Sequence, residues 1–330
     1  MGITRRPPLE LLDLATGYQR AKTLFALIEL EIPTMLAAGP LLCEEIARRT
    51  KLHPMAADRL LNASVALGLL ARQGDLFANA PASARYLVKG TENYLGDYLL
   101  KHDRDSYPRW MTLVERLRRW TPGETVATTS ADDAPTAHHN LTLIVGAALA
   151  ESYDFSAHAL LLDIGGGTGA MSISICRAHP RLRAVVVDLP HVTKHAQRFI
   201  AEAGLADRIE TYSADFKSDP LPTGFDVALL ANLLSVASEE GNRRLFDALY
   251  ERLPDHGAVI ISGWILDDAR THPLLPVLFC LEDICWDAPD VERTASTYRR
   301  WLQAAGFQQI ECVEYFPPTS MLVGYRLPRA

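Results

Sequence analysis

The residues best placed to do chemistry lie in one run, ALLLDIGGGTGA, where Asp163 is followed by Gly165, Gly167 and Gly169. An apolar strand running into alternating glycines gives a backbone that turns sharply and approaches a ligand with no Cβ in the way. A helix opening near Gly169 aims free N–H groups at the same place, which suits a carboxylate or a phosphate. GGGTGA also satisfies the G-x-G-x-x-A pattern of dinucleotide sites, a weak signal on its own. The acids that follow narrow the choice. Asp188 ends the strand AVVVD just before Leu189, placed to accept hydrogen bonds from two ribose hydroxyls, which either kind of ligand carries. Asp215 and Phe216, in SADF after a third strand, supply an acid for an adenine amino group and a ring for its face. A dinucleotide has no special use for an acid at that third strand end.

These residues need neighbouring strand ends to hold them. From Leu141 onward strands and helices alternate, with strands expected at Ala159–Ile164, Ala184–Asp188, Ile209–Ser213, Val227–Ala231 and Ala258–Gly263. Two late strands, Ile310–Tyr315 and Ser320–Arg326, flank Pro317-Pro318. The alternation implies an α/β fold with a mostly parallel, doubly wound, Rossmann-like sheet over residues 141–330. Ahead of it, Leu11–Leu30 has helical spacing. A short helix marked by Leu42, Ile46 and Leu52 and a second over Ala56–Leu69 follow, the latter capped by Gly68. Leu69–Ala71 and Leu76–Ala78 flank Arg72–Asp75 as a small hairpin. Two helices, a turn and a β-wing make residues 1–100 a mainly helical winged-helix module. Residues 101–140, with the polar stretch TPGETVATTSADDAP, read as a linker and helical cap.

The length of 330 residues favours two domains, and a formal net charge of −7 offers no global field for nucleic acid or an anionic membrane. Residues 1–100 carry 11 Lys/Arg against 10 Asp/Glu, and Ala56–Leu69 has Arg59 as its one cation. Phosphate binding asks for more, so the winged helix reads as a dimerisation module rather than a DNA reader. Five scattered cysteines without a paired spacing fit a reducing compartment. The N-terminus has no apolar stretch behind Arg5 and Arg6, and Leu141–Ala150 is about half the ~20 residues a membrane span needs. The expected location is cytoplasmic, with no membrane partner.

Taken in order, Asp163 with Gly165, Gly167 and Gly169, then Asp188, then Asp215-Phe216, resemble the motifs of class I S-adenosylmethionine-dependent methyltransferases. With the winged-helix front, the chain from about Leu11 to Arg326 resembles the dimeric O-methyltransferases of plant phenolic and bacterial antibiotic pathways. Glu292-Arg293-Thr294, ahead of TYRRWLQAAGF, also matches. The resemblance implies S-adenosylmethionine as cofactor, a homodimer formed through the N-terminal domain, and a small aromatic or polyketide-like acceptor between the domains.

The family's general base is a histidine in a segment like LxHVLHDWxDE, and here that segment is DVALLANLLSVASEE. The alignment puts Ser235 at the base position and Asn232 at one that often faces cofactor or substrate. A serine hydroxyl does not deprotonate a phenol near neutrality. Glu292 matches the acid that orients the family's histidine and is kept without that partner. Three explanations stand. The acceptor needs no base, and alignment of donor and acceptor suffices. Alternatively another residue serves, from His138 and His139 ahead of the cofactor strand, or His272, Glu282 and Asp283 in DDARTHPLLPVLFCLEDICWD; each of these also reads as a solvated surface group. Or the fold does other work, such as hydroxylation, decarboxylation or pericyclic chemistry. Adjacent His138 and His139 lack the spacing of a helical ligand pair and no cysteines join them, so no metal is expected. The rivals outside this family are a winged-helix ligand-sensing regulator and an NAD-dependent oxidoreductase.

Overall fold

The computed structural model describes residues 8–121, 134–288 and 293–328, with side chains in the helix that opens at Ala134 described from His138 onward. Its contacts divide it into two compact units, residues 1–108 and 109–330.

The first unit runs α1 (Leu9–Ala15), α2 (Gly17–Glu29), α3 (Ile32–Leu36), β1 (Leu41–Leu42), α4 (Cys43–Thr50), α5 (Pro54–Ala66), β2 (Leu70–Gln73), β3 (Leu76–Asn79), α6 (Pro81–Tyr86) and α7 (Gly96–Lys101). Pro54 starts α5 where its missing N–H costs nothing, and Gly68, at φ 72°, turns the chain out of that helix into the wing. Leu27, Ile32, Ile46, Leu61 and Phe77 form the core between helices and wing. Two details differ from the expectation. Leu11–Leu30 is two helices broken at Thr16, whose hydroxyl donates to the Leu12 carbonyl at 2.8 Å. Leu41–Leu42 is a third strand, paired antiparallel to β3, so the short helix starts only at Cys43. Helix α1 buries none of its residues, and Leu14 is 78% exposed.

The chain continues through α8 (Tyr107–Trp110), α9 (Leu113–Arg119) and α10 (Ala134–Ser152). The sheet domain follows as β4 (Leu160–Ile164), α11 (Ala170–Ala178), β5 (Arg183–Asp188), α12 (Pro190–Glu202), β6 (Ile209–Ser213), β7 (Val227–Ala231), α13 (Glu239–Arg252) and β8 (Ala258–Gly263). It ends with α14 (Leu274–Cys285), α15 (Ala295–Ala305), β9 (Gln308–Phe316) and β10 (Thr319–Tyr325). The seven strands lie in the order β6-β5-β4-β7-β8-β10-β9. β4 to β8 are parallel, whereas β10 pairs antiparallel with both β8 and β9. LLLDI, VALLA and AVIISG are near-continuous apolar runs because helices cover both faces of these strands. Edge strand β9 instead points Glu311 and Glu314 to solvent, which discourages further pairing. Strand order reverses at β4, and crevices at such switch points are where open α/β sheets bind ligands. Helix α10 lies along α11, and Gly146 permits the close approach: a Cβ there would sit 3.0 Å from Ser174 and 3.1 Å from the Met171 backbone.

Candidate functional site

The turn after β4 is set by backbone conformation. Gly165, Gly167 and Gly169 have φ of 67°, 59° and 75°, a region that side chains with a Cβ disfavour. The turn is tied to the next strand, since the N–H groups of Gly165 and Gly166 donate to the Val187 carbonyl at 2.7 and 3.3 Å. Gly165 has a second reason to lack a side chain: a Cβ there would meet Leu233 Cδ1 at 2.4 Å. Gly167 is the reverse case, with open space where a Cβ would point, so its backbone is approachable.

Asp188 closes this cradle. One carboxylate oxygen accepts the Gly167 N–H at 2.8 Å and the other accepts its own neighbour's, Leu189 N–H, at 2.7 Å. A carboxylate has about four lone-pair sites, so two remain for the vicinal hydroxyls of a ribose. Burial raises the Asp188 pKa, and the Leu189 and Gly167 amides pull against that rise. At the next strand end the Ala214 N–H donates to the Asp188 carbonyl at 3.0 Å, which fixes the start of the following loop. There Asp215 accepts the Lys217 N–H at 3.0 Å, and Phe216 is half-buried against the core.

Asp163 takes a different place from the other acids. Its carboxyl is fully buried, accepts the Ser172 hydroxyl at 2.7 Å, and has one oxygen with no partner. A Cβ on Gly166 would sit 2.8 Å from its Cγ, so the carboxyl lies directly beneath the glycine turn. Desolvation pushes its pKa up to about 6. Asp163, counted among the cofactor contacts by the resemblance, lies beneath the loop and is bonded to Ser172.

His139 is buried as well. Its Nδ1 and the Thr168 hydroxyl share a hydrogen bond of 2.7 Å, and its ring stacks on Phe199 of α12 with centroids 3.7 Å apart. Burial, then the charges of Arg177 and Arg198, lower its pKa to about 4.

On the other flank, Asn232 follows β7 with φ 52°, and its N–H donates to the Ser262 carbonyl at 2.8 Å. Leu233 follows against Gly165, and Ser235 sits half-buried in the short 3₁₀ turn Leu234–Val236. The buried Asn242 amide donates to the Leu234 carbonyl at 2.8 Å and holds that turn. The remaining candidate bases are engaged or remote. Asp283 pairs with Arg293 at 2.7 Å, Glu282 accepts the Trp286 indole N–H at 3.2 Å, and His272 lies in an exposed turn 3.7 Å from Asp267. His138 is exposed, and Glu292 lies outside the described residues.

The structure thus gathers the glycine turn, Asp163, Asp188, His139 and the Asn232–Leu233 turn around the carboxyl end of β4. Sequence reading passed over Thr168, Leu233 and Phe199. Thr168 lies inside the motif, but its partner is 29 residues away.

Comparison with known proteins identifies the family. Residues 125–308 match the O-methyltransferase domain and residues 12–89 the O-methyltransferase dimerisation domain. The chain belongs to the O-methyltransferase family. It is 34% identical to 3-hydroxy-5-methyl-1-naphthoate 3-O-methyltransferase of Streptomyces sahachiroi, over 94% of this chain and 92% of that one. It is 31% identical to an N,N-dimethyltransferase of Streptomyces rimosus, over 90% of each chain. Human N-acetylserotonin methyltransferase, solved with S-adenosylmethionine, shares the fold at TM-score 0.82 and 24% identity, over 99% of this chain and 100% of that one. The protein is an S-adenosylmethionine-dependent methyltransferase with a small-molecule acceptor.

Proposed function

We propose that this methyltransferase acts on an aromatic or polyketide-like acceptor, at an oxygen or an amine nitrogen, and works by alignment rather than by a base at the family's usual position. The observation that carries the acceptor class is the pair Trp264 and Phe279, edge to face with centroids 4.3 Å apart. Trp264 follows the last residue of β8, at the carboxyl end of the parallel strands, where the glycine turn also lies. Half-buried aromatic faces there offer a flat acceptor stacking area. The naphthoate acceptor named for the first Streptomyces relative supports the aromatic class, and the N,N-dimethyltransferase named for the second supports nitrogen as an acceptor atom.

The cofactor supplies a sulfonium-bound methyl group. In this reading the amides of the glycine turn hold its carboxylate end, Asp188 and Leu189 its ribose, and Asp215 and Phe216 its adenine. Asn232 orients the acceptor from the end of β7, and Ser235 occupies the base position without serving as base. Glu292 keeps the family's acid. Alignment alone supplies several kcal/mol of a displacement barrier. We also assign residues 1–100 to homodimerisation, 101–140 to linker and cap, and 141–330 to catalysis, in a cytoplasmic enzyme that does not bind nucleic acid. The unburied leucines of α1 support the dimer. Among the described residues no helix is long and apolar enough to cross a membrane.

Labelled S-adenosylmethionine with a panel of phenols, enols and aromatic and aliphatic amines tests the acceptor class. Aromatic substrates should be labelled; label on aliphatic amines alone would overturn it. Light scattering should give twice the 36.5 kDa chain mass.

A further inference from the structure

Three glycines make a loop that reaches its ligand, and the same freedom makes it a loop that needs fixing. Thr168 stands between Gly167 and Gly169, so its side chain is the handle available there for holding the turn from outside. That side chain is spoken for. Thr168 is 5% exposed and its hydroxyl meets Nδ1 of His139, itself 8% exposed, at 2.7 Å. The imidazole lies nearly parallel to the Phe199 ring, at 19°. Phe199 belongs to α12, the helix that opens at Pro190, two residues after Asp188. One ring therefore touches the glycine turn and the helix behind the ribose acid while standing on α10. The Gly167 N–H, on the residue before Thr168, donates to Asp188. The Thr168–His139 bond therefore holds the turn one residue from the amide that Asp188 accepts.

We propose that His139 is a positioning residue for the cofactor: it latches the glycine turn through Thr168 and does not exchange a proton with the acceptor. This rests on reading the glycine turn as the cofactor site. Its geometry is poor for a base, since one ring nitrogen is engaged within the protein and a ring face is covered by Phe199. Burial also favours the neutral imidazole, which suits a fixed hydrogen-bond partner.

The test uses the full-length enzyme, with S-adenosylhomocysteine binding followed by calorimetry and turnover measured separately. His139→Phe keeps a ring for stacking and removes the hydrogen bond; Thr168→Val removes the hydroxyl at nearly constant shape. Each should weaken binding by about 5- to 50-fold, the range for orphaning a buried polar partner. The double variant should be little worse than either single one, because both remove the same bond. Thr168→Ser, which retains the hydroxyl, should bind like the native enzyme. Turnover at saturating cofactor should stay within about threefold in every variant while the cofactor KM rises. Unchanged S-adenosylhomocysteine affinity in His139→Phe, or additive losses in the double variant, would overturn the latch. A fall in turnover of about 100-fold or more with cofactor KM unchanged would return His139 to the role of base. Failure of the native enzyme to bind S-adenosylhomocysteine would instead remove the reading beneath the proposal.

Discussion

The carboxyl ends of β4 and β5 and that of β7 lie side by side at one edge of the sheet, yet they are built by opposite means. At β4 and β5 the working groups are mainly backbone: three glycines at positive φ and amides paired to Val187 and Asp188. At β7 they are side chains, Asn232 and Ser235, on a turn held by Asn242. A site made of main chain has few ways to change, since each change meets a forbidden conformation or an orphaned amide. A site made of side chains changes one residue at a time. The two halves meet through an apolar contact, Leu233 against Gly165, which transmits shape but no charge. On the proposed reading, the β7 side can therefore carry serine where the family carries histidine without disturbing the glycine turn.

The strongest way to break this contrast is to put a side chain into the main-chain half. Gly165→Val combines an unfavourable positive φ with a collision at Leu233, each about 1–3 kcal/mol. Affinity for S-adenosylhomocysteine should fall by about 100-fold or more, with the fold retained by circular dichroism. A Gly165→Val enzyme that binds normally would show that the turn is not the cradle.

Next in size is Asp188→Ala, which leaves the Gly167 and Leu189 amides without their acceptor and removes the ribose partner. The expected loss is about 1.5–3 kcal/mol, or roughly 10- to 150-fold in calorimetric affinity. NAD should not bind the native enzyme; tight NAD binding without a response to S-adenosylhomocysteine would put the chain outside the activity assigned to it.

Two buried groups give the cofactor half a pH signature of moderate size. Asp163 has a folded pKa of about 6, above its ordinary value of 3.8, so its burial costs stability above pH 6 and the cost is relieved as pH falls toward 4. His139 has a folded pKa of about 4, below its ordinary 6.5, so the unfolded chain gains a proton first and stability is lost as pH falls from 6.5 toward 4. The two oppose each other between pH 6 and 4. Asp163→Asn should raise the melting temperature by a few degrees above pH 7, where it removes a buried charge. In the same variant stability should fall more steeply with acid, because the histidine is then unopposed. A flat comparison of the two proteins from pH 8 to 5 would show that the Asp163 carboxyl is not desolvated as described.

Much of this was legible in the chain. Val227–Ala231, Ile209–Ser213 and Ala258–Gly263 lie where apolar runs and turn residues put them, because strands covered on both faces leave an unmistakable pattern. The glycine turn was legible for a related reason: glycine at positive φ is a local requirement, visible without knowing any partner. Strand β1 was not, since two residues carry no periodicity and Leu41–Leu42 pair only because β3 passes beside them. The Thr168–His139 bond was hidden in the same way, and so was the pairing of Asp283 with Arg293. Both are made by packing between different elements, and composition holds no trace of a distance.

The smallest expected effect is the most informative about the acceptor half. In the proposed reading Ser235 takes the position of the family's base, but a hydroxyl becomes a base near neutrality only beside a group that takes its proton. The described groups nearest in sequence do not serve: Asn232 and Asn242 are amides, and Glu239 and Glu240 are exposed carboxylates held by Arg243 at 2.6 Å and Arg244 at 3.1 Å. Ser235→Ala should therefore change turnover by less than about threefold, against the 10²–10⁴ that loss of a true general base costs. Ser235→His restores an imidazole on a turn that Asn242 already fixes, and with Glu292 retained in sequence it should extend methylation to phenols of higher pKa than the native enzyme accepts. A 100-fold fall in Ser235→Ala would put the proton transfer back at this turn and end the view that the enzyme works by alignment. If Ser235→Ala is silent and Ser235→His gains the weaker phenols, proton handling at this turn depends on one exchangeable group, as a site built from side chains allows.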